Sequence, residues 1–446
     1  MTNKLFEKKT FTSFDKNYSA EIYIKKPDKY RDIENNSFSA ENIITMGSAF
    51  SYTAASFKKD NFSISLEKFN RVIDFDNENK SITVEAGMKI YDFLNFTLEH
   101  NLWIPQIPGY PLISIAGAVA TNAHGKSCGF HGTIRNLIKK ITIFHRDQGW
   151  LNLSEIENKE IFDLTIGGFG LTGTIIDITF QLVDFKGFSF NTSVEKTNSA
   201  IDTVKKIQEN INKENFIYSW NRTDQKNNFG NGFIFQNKIN LETKSEKVKK
   251  IDKTKFIYNK KLFFFNFWNK YSIKAFNSFY YNFHKYIRKN NYKDTFKNVI
   301  FPFVGKENYF YMFGKKGFIE SQILVSNSNI EEFLEEFESL FKEHEPTITL
   351  FSVKNMSGKQ SYLRFEDNRI CLTFDFVNNK KNINFMKLID NLCIKHKALP
   401  SIIKDSRINE ETINKCYEHA NNFREDLKKF DKKRIYRSEL SDRLGL

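Results

Sequence analysis

The chain has few of the residues that mark disulfide-rich, metal-binding or membrane-spanning proteins. Its four cysteines, Cys128, Cys371, Cys393 and Cys416, are far apart and form no CxxC pair, which is typical of reduced thiols in the cytoplasm. The eight histidines form no HxH or HxxxH pair, so no metal ion is expected. No apolar run approaches the roughly 20 residues of a membrane-spanning helix, and the first residues lack a signal-peptide pattern. We therefore expect a cytoplasmic protein, either free or peripheral on the inner face of the membrane.

Proline is also scarce, with 7 in 446 residues, and no long Ser- or Gly-rich linker is present. Two domains are expected at this length, and the missing linker indicates that they are interleaved rather than tethered. Strand-like and helix-like segments follow one another without an internal repeat, which predicts an α+β fold. The clearest predicted strands are TIIDITFQLV, FIESQILVS, TITLFSVKN and RICLTFDFV, and the clearest helices are KIYDFLNFTLEHN, AIDTVKKIQENINK and NIEEFLEEFESLFKEH.

Glycine, in contrast, is concentrated in two places. These are the stretch PGYPLISIAGAVATNAHGKSCGFHGTIRN, residues 108–136, and the cluster GGFGLTG, residues 167–173. Because glycine has no Cβ, two such loops predict a backbone cradle for a large phosphate-bearing cofactor. The second cluster also satisfies GxGxxG, but a Rossmann turn needs a strand before it and a helix after it. Here a helix-like segment precedes the cluster and a β-branched strand follows, so we reject the Rossmann assignment.

Most of the formal net charge of +14 lies in one segment. Between Lys244 and Ile300 there are 15 Lys or Arg and 3 Asp or Glu, a net +12, together with 16 aromatic residues. This mixture suits a surface that touches anionic lipid headgroups or single-stranded nucleic acid. It is also the pattern of a lysine-rich solvated face over an aromatic core. No RNA-binding signature accompanies it, so no nucleic-acid partner is expected.

Five segments in a fixed order carry a family resemblance. They are MGSAFSYTA, VEAGMKIYDFL, LWIPQIPGYPLISIAGAVATNAHGK, GGFGLTGTI and the terminal pair IIKDSRINEETI and RIYRSELSDRL. In this order and at these distances they resemble the FAD-linked oxidases of the vanillyl-alcohol oxidase and para-cresol methylhydroxylase (PCMH) superfamily. Within it the chain is most similar to the decaprenylphosphoryl-β-D-ribose oxidase family. The resemblance extends from Ile43 to the C-terminus and is weakest in the middle.

The resemblance implies an FAD-dependent oxidoreductase that acts on CH–OH groups. It would oxidise the ribose 2-hydroxyl of a polyprenyl-phosphoryl pentose to a ketone, as the first half of an epimerisation for cell-envelope polysaccharide. A separate short-chain reductase would complete that epimerisation. The implied fold is a two-part FAD-binding domain of PCMH type, residues 1–185 plus 399–446, with an inserted α+β substrate domain on an antiparallel sheet, residues 186–398. The expected partners are the lipid-linked phosphosugar, the reductase and an anionic membrane surface.

The resemblance also implies the site residues. Non-covalent FAD would be held at Gly47, Ser51, Tyr52, Pro108, Gly109, Ala116, Gly117, Thr121, His124, Gly125, Lys126, Gly132, Asn136, Gly168, Gly170, Leu171, Thr172 and Gly173. The sugar would be bound by Trp220, Gln322, Lys354, Cys371 and Lys404. The catalytic residues would be Lys404, which matches the family's lysine in a KDSR loop, together with Tyr52 and His124.

The chemistry of these side chains is compatible with the implied roles, but each also has a purely structural interpretation. Oxidation of a carbinol on a flavin needs a group that takes the hydroxyl proton and a positive charge near flavin N1. Lys404 can supply either, although by spacing alone it is a surface-loop lysine. Tyr52 can stack on the cofactor, relay a proton or be a half-buried aromatic. His124 is either functional or structural, and Cys371 taken alone is an apolar filler. We do not expect covalent flavin at His124, because in this superfamily the attaching histidine is more often in the first loop.

The chain departs from the family at four positions. Phe50 replaces an arginine and removes a cation from the first loop, Arg369 replaces a smaller polar residue, and Cys128 and His131 change the loop after HGK. The FAD site should survive because backbone N–H groups do most of the holding, but the sugar is put in doubt. Two alternatives stay open: an oxidase of a soluble sugar, polyol or aldonolactone, and a non-catalytic protein that binds lipid or nucleic acid.

Overall fold

The computed structural model describes residues 6–38, 42–187, 189–210, 216–225, 227, 229–241 and 265–446. Its strands are β1 (Glu7–Thr12), β2 (Ser19–Lys25), β3 (Ile43–Met46), β4 (Phe62–Ser65), β5 (Val72–Asp76), β6 (Ser81–Glu85), β7 (Leu102–Trp103), β8 (Ile138–His145), β9 (Gly149–Ser154), β10 (Thr174–Gln181), β11 (Val183–Asp184), β12 (Ser189–Thr197), β13 (Phe216–Asn221), β14 (Gly232–Ile239), β15 (Asn291–Thr295), β16 (Phe318–Ser326), β17 (Ile348–Met356), β18 (Arg369–Val377) and β19 (Leu399–Pro400).

The helices are α1 (Tyr30–Phe38), α2 (Ile90–Glu99), α3 (Ile115–Ala120), α4 (Cys128–His131), α5 (Lys159–Thr165), α6 (Ala200–Gln208), α7 (Lys270–Asn282), α8 (Phe296–Ile300), α9 (Asn308–Tyr311), α10 (Ile330–His344), α11 (Lys380–Lys395), α12 (Glu410–Cys416), α13 (Ala420–Phe430) and α14 (Glu439–Arg443). Together with the mainly antiparallel sheets they confirm the α+β class. Within the described ranges no helix is both long enough and apolar enough to cross a membrane.

The N-terminal part contains three sheets. Two are larger, with the orders β1-β2-β4-β3 and β5-β6-β10-β8-β9, and the third is the pair β11-β7. The first ends in parallel pairs, and β3 leads directly into the loop that begins at Gly47. The cluster 167–173 joins α5 to β10, so a helix precedes it and a strand follows. This order confirms that the GxGxxG letters do not form a Rossmann turn.

The second part is built on two further sheets, β13-β14-β12-β15 and β17-β18-β16-β19. Their edge strands β13 and β17 lie side by side, and the Val353 N–H donates to Ser219 Oγ at 2.8 Å. Because side chains alternate along a strand, β16 and β18 present one apolar and one mostly polar face. Phe374 on the apolar face stacks on Phe337 of α10, with ring centroids 4.7 Å apart. The opposite side of this sheet bears the mostly polar side chains of β16 and β18, and we call it the polar face.

Segments from late in the chain complete the N-terminal part. The Ile43 N–H of β3 donates to the Ile435 carbonyl at 2.9 Å, and the Arg437 N–H donates to the Ile43 carbonyl at 3.0 Å. The loop between β17 and β18 reaches the glycine-rich stretch 108–136, where one Glu366 oxygen accepts from Asn122 Nδ2 at 2.8 Å and from Thr133 Oγ1 at 2.6 Å. The predicted boundaries at 185/186 and 398/399 remain predictions.

The sequence patterns correctly predicted α2, α6, α10, β10 and β16–β18 but not the β1–β2 hairpin, α7 or α11. β1 is exposed, with three charged residues, and has no apolar alternation, whereas β2 alternates, with Ala20, Ile22 and Ile24 buried, and was missed despite this signal. The prediction of a basic aromatic segment falls partly on residues 244–264, which lie outside the described residues. The remainder contains α7, which begins in a capping box formed by Asn269 and Ser272.

Candidate active site

The KDSR loop is held by a buried ion pair. Arg407 donates to Asp405 Oδ2 at 2.7 Å and to Asp390 at 3.2 Å, and its backbone N–H donates to the other Asp405 oxygen at 2.9 Å. Asp405 is buried and accepts through both oxygens, and Arg407 also makes a bidentate pair with Asp390, so the turn is firmly fixed. The turn leaves Lys404 free to extend toward the first glycine loop and β16.

Lys404 lies between an aromatic ring and a carboxylate. Its Nζ is 3.7 Å from the centroid of the Tyr52 ring and 3.1 Å from Glu320 Oε1. The Tyr52 ring in turn packs on Phe14, with centroids 5.0 Å apart. Burial, and then the charge of Glu320, raises the pKa of Tyr52 well above its ordinary value. Tyr52 is therefore a neutral phenol at neutral pH, with a ring that holds the ammonium group by a cation–π contact.

Two carboxyl groups lie side by side on the polar face. Glu320 of β16 is the direct cross-strand partner of Asp375 of β18, and they are 5% and 1% exposed. Gln322 Nε2 donates to Glu320 at 2.7 Å, and Tyr309 donates to Asp375 at 2.8 Å. Burial, and then the neighbouring charge of Glu320, raises the pKa of Asp375 well above its ordinary value. The pair therefore holds a proton on Asp375 beside the carboxylate that Lys404 contacts.

The other end of the polar face is basic. Lys354 of β17 is opposite Cys371 of β18, and Lys126 Nζ lies 4.4 Å from the centroid of the Tyr218 ring. Burial, and then the charge of Lys354, lowers the pKa of Lys126 to about 8. Burial raises the pKa of Cys371 to about 11, so it stays a thiol. Within the described residues neither ammonium group has a carboxylate oxygen within the 4.0 Å of an ion pair.

His124 lies close enough to both ends of the polar face for their charged groups to shift its pKa. Burial, and then the charges of Lys354, Lys404 and Lys126, lowers the pKa of His124 well below its ordinary value. Its ring lies 5.8 Å from that of Phe365. His124 is therefore a neutral imidazole at neutral pH, able to donate through one nitrogen and accept through the other.

Three glycine loops converge on α3: the loop that begins at Gly47, the stretch 108–136 that contains α3, and the cluster 167–173. A Cβ at Gly47 would lie 2.2 Å from Oγ of Ser114, the residue that caps α3. The turn 167–173 donates to the end of the same helix, from the Gly167 N–H to Val119 and from the Phe169 N–H to Ala120. The loops therefore approach one another at distances that only glycine permits.

The HGK loop, residues 124–126, is fixed by contacts with Gln106 and Ile107. The Gly125 N–H donates to Gln106 Oε1 at 2.7 Å, and a Cβ at Gly125 would lie 2.5 Å from the Ile107 carbonyl oxygen. The letters GKSCG at 125–129 also match GxSxG, the pattern of a nucleophilic serine. Ser127 is buried, however, and its hydroxyl donates to the Pro105 carbonyl at 3.0 Å, so it has a structural role.

These loops fit a diphosphate-bearing cofactor. A Cβ at Gly109 would meet nothing closer than the Ile300 carbonyl oxygen at 3.9 Å, so the loop is open there. Lys89 Nζ donates to Ser48 Oγ at 2.7 Å and so brings a cation to the first loop. Phe50, at the position of the family's arginine, packs instead on Tyr110 at 5.3 Å. Gly47, Gly109 and Lys89 would hold the diphosphate, through exposed backbone N–H groups and one positive charge.

Not every predicted residue joins this arrangement. The Thr121 hydroxyl donates to the Gly117 carbonyl at 2.9 Å, within the last turn of α3. Asn136 is exposed, and its amide donates to the His131 carbonyl at 3.1 Å. Trp220 packs on Tyr280 with centroids 4.4 Å apart. The remaining predicted positions, Ser51, Pro108, Ala116, Gly132, Gly168, Gly170, Leu171, Thr172 and Gly173, lie in or beside the three loops.

Three side chains of the site were missed at the level of sequence: Glu320, Asp375 and Tyr309. A signal for the first two was present, since alternation in FIESQILVS places Glu320 on the same face as Gln322, and alternation in RICLTFDFV places Asp375 on the same face as Cys371. Nothing in the sequence pairs Tyr309 with Asp375.

A separate acidic group lies away from this site. Glu332, Glu336 and His396 are within reach of one another, as a metal site would require. Glu336, however, accepts from Lys395 at 2.6 Å and from His396 at 2.9 Å, so its charge is already compensated. The group is accounted for as a surface ion-pair network.

Comparison with known proteins identifies relatives of this chain. Residues 38–154 match the family described as FAD binding domain. Decaprenylphosphoryl-beta-D-ribose oxidase of Mycolicibacterium smegmatis is 21% identical over 419 residues, which are 91% of this chain and 89% of that protein. L-gulonolactone oxidase of Mus musculus is 28% identical over 124 residues, 28% of each chain. D-arabinono-1,4-lactone oxidase of Saccharomyces cerevisiae is 26% identical over 226 residues, 46% of this chain and 39% of that protein.

The glycine loops, the site and these relatives define an FAD-dependent oxidoreductase, with FAD as its cofactor. Residues 38–154 form an FAD-binding domain, and the chain resembles decaprenylphosphoryl-β-D-ribose oxidase along most of its length. The alternative of a non-catalytic binding protein is therefore set aside.

Proposed function

We propose that this enzyme oxidises a secondary hydroxyl of a lipid-linked phosphosugar to a ketone, at the ribose 2-hydroxyl of a polyprenyl-phosphoryl pentose. The observation that carries the proposal is the pair Lys126 and Lys354, two partly buried cations without a carboxylate partner among the described residues. Uncompensated charge in a buried site is unfavourable. A phosphoryl group on the substrate would supply the missing negative charge at that end of the polar face.

The opposite end of the polar face suits the reacting hydroxyl. The Lys404 ammonium group is held by Tyr52 and Glu320. It would orient the hydroxyl and take up its proton while passing one of its own protons to the Glu320 carboxylate. Bound FAD supplies the acceptor for the hydride from the carbinol carbon. The sugar would also contact His124 and Trp220, together with Gln322 and Cys371 on the polar face. In this proposal residues 186–398 form the substrate domain.

The resemblance along 91% of the chain to an oxidase named for a lipid-linked phosphoribose supports this substrate class. A ketone formed in this way is the substrate for a hydride-donating reductase, so a separate short-chain reductase would complete an epimerisation. The second candidate is an oxidase of a soluble sugar, polyol or aldonolactone. It is favoured by the lactone oxidases, which match over shorter stretches, but it leaves Lys126 and Lys354 without an anion.

Anaerobic reduction of the bound flavin, followed by its absorbance, separates the two candidates. The panel contains a short-chain prenyl-phosphoryl ribose, a prenyl riboside without the phosphate, free alditols and aldonolactones. We expect fast reduction by the phosphorylated compound and slow reduction by the riboside. Lys126→Met should narrow that difference, whereas Lys428→Met, which changes an exposed lysine of α13, should not. Equal or faster reduction by alditols or lactones would overturn the phosphosugar assignment.

A further inference from the structure

Exposed aromatic side chains are concentrated around α7. Among the described residues twelve large hydrophobic side chains are exposed, and seven of them lie between residues 265 and 287. They are Phe265, Phe267, Tyr271, Phe276, Phe279, Tyr286 and Ile287, which we call the aromatic face. Phe279, Tyr286 and Ile287 are 70%, 71% and 72% exposed. A clustered apolar patch of this kind marks an interaction surface.

The charges around this face all have one sign. Lys270, Lys274, Lys285 and Lys289 are exposed beside it, with Arg288 partly exposed. No acidic residue occurs in the sequence between Asp252 and Asp294. The face is therefore complementary to a negatively charged partner that also accepts aromatic rings.

The aromatic face is not required for folding of α7. The helix is anchored by its opposite side, where Ile273, Asn277 and Tyr281 are buried. Asn277 Nδ2 donates to Asp224 Oδ1 at 3.0 Å and so ties the helix to the end of β13. A lysine-rich face over an aromatic core would place these rings inward, whereas seven large apolar side chains point outward.

One layer of side chains separates the aromatic face from the site. Trp268, which precedes α7, donates from Nε1 to the Tyr309 carbonyl at 3.2 Å, and the Tyr309 hydroxyl donates to Asp375. Tyr280 of α7 packs on Trp220 at 4.4 Å. One side of α7 therefore packs next to residues of the candidate site, and the other side of α7 is exposed.

We propose that the aromatic face docks on an anionic phospholipid surface, with α7 lying in the headgroup layer. Aromatic rings are favoured at this depth, and lysines beside them gain from the negative surface potential. Each lysine near such a surface strengthens binding about fivefold. Docking does not depend on the substrate, but its use to capture a lipid-linked substrate rests on the proposed function.

The test is co-sedimentation of the FAD-bound enzyme with vesicles of phosphatidylcholine alone or mixed with phosphatidylglycerol, at low and high salt. We expect binding to the acidic vesicles that weakens with salt. Phe279→Ser with Ile287→Ser should weaken it about tenfold or more, because two exposed apolar anchors are lost. Lys270→Gln with Lys274→Gln should weaken it by about fivefold per lysine. The matched controls are Ile156→Ser, at an exposed site elsewhere, and Lys139→Gln with Lys140→Gln on β8, which should bind like the wild type.

A second measurement reports insertion directly. Tyr286→Trp places an indole on the aromatic face, and its emission should shift to the blue and be quenched by brominated acyl chains when acidic vesicles are added. The same variant should show neither effect with phosphatidylcholine alone. An indole that stays fully hydrated on sedimenting vesicles would overturn docking through this face.

Two further outcomes decide the matter. Absence of sedimentation with acidic vesicles at low salt overturns the proposal, as does tighter binding to a single-stranded oligonucleotide that Phe279→Ser leaves unchanged. Flavin reduction by the short-chain phosphoryl ribose without vesicles tests the proposed function separately, and the surface variants should keep it. Docking with no such reduction would refute the substrate and leave the docking surface standing, and the reverse result would refute docking alone.

Discussion

Glu320 and Asp375 face each other across β16 and β18 with both carboxyl groups buried, and only Glu320 pairs with a cation. Like charges at this distance are unfavourable in a buried site, so one of the two groups keeps its proton. Lys404 and Tyr309 contact opposite members of the pair. The protonation of Asp375 is therefore part of the architecture of the site, and it has a consequence for stability.

We expect Asp375→Asn to flatten the pH dependence of unfolding. The folded-state pKa of Asp375 is well above the ordinary 3.8, so the folded protein keeps a proton that the unfolded chain loses. The wild type is therefore favoured at low pH and loses stability as pH rises through the folded-state pKa. Urea unfolding at about pH 5 and about pH 8 measures this. The exposed Asp74→Asn should keep the wild-type slope, and an unchanged slope in Asp375→Asn would refute the assigned protonation state.

Lys404→Met should slow flavin reduction about a hundredfold or more, because the group that takes the hydroxyl proton is lost. FAD content should not change, since the Lys404 ammonium group contacts the Tyr52 ring and Glu320 rather than Gly47, Gly109 or Lys89, which would hold the diphosphate. Stopped-flow reduction and the flavin-to-protein absorbance ratio measure the two effects. Lys415→Met, at an exposed position of α12, is the control. Reduction at nearly the wild-type rate would refute the role of Lys404, and loss of FAD would make it a cofactor ligand.

The KM for a phosphorylated substrate should rise with pH above about 8, the pKa of Lys126. As Lys126 loses its proton, the phosphoryl group loses one of its two cations, and KM should rise by up to about tenfold per pH unit. Lys126→Arg should remove this rise, because a guanidinium stays charged. A substrate without a phosphate should show no such dependence in either protein. A wild-type KM that is flat across this range would contradict phosphate binding by Lys126.

Two glycine substitutions should separate folding from cofactor binding. Gly125→Ala places a Cβ 2.5 Å from the Ile107 carbonyl, and we expect it to lower the stability of the FAD-free protein by about 1–3 kcal/mol. Gly109→Ala meets nothing closer than 3.9 Å and should leave that stability unchanged. If Gly109 lies against FAD, its substitution should still weaken FAD binding, measured by flavin fluorescence on reconstitution. Unchanged FAD affinity in Gly109→Ala would remove it from the cofactor site.

FAD should be released intact when the protein is denatured with acid, because the first loop, MGSAFSY, has no histidine to form a covalent bond. The yellow colour should pass into the supernatant. Colour that stays with the precipitate would indicate a covalent bond, and peptide mapping would then begin at His124 and Cys128.

The sequence predicted those parts of the fold that have strong local patterns. The α2 and α10 helices and the β16–β18 strands have clear apolar periodicity, whereas β1 is charged and exposed and has none. For the site, Lys404 and Tyr52 were found through local motifs. Glu320 and Asp375 were not, because their proximity depends on the register of strands separated by the whole of α10 and β17. A shift of one residue would turn either side chain to the opposite face.

The aromatic face shows a different limit. Composition revealed that residues 244–300 are basic and aromatic, but not which rings point outward, because a helix can bury either side. The orientation of α7 depends on Asn277, whose side-chain amide donates a hydrogen bond to Asp224, a residue far from it in the sequence.

The hydrogen bonds that join Ile43 to Ile435 and Arg437, and Asn122 to Glu366, connect early segments of the chain to segments that are synthesised much later. A ribosome makes all the glycine loops within the first 173 residues, long before the segments that brace them. The nascent chain therefore carries an unfinished cradle until it has been made as far as Arg437. We therefore expect flavin uptake to follow synthesis of these late segments, and a chain that stops short of Arg437 to bind FAD weakly even though every glycine loop is present.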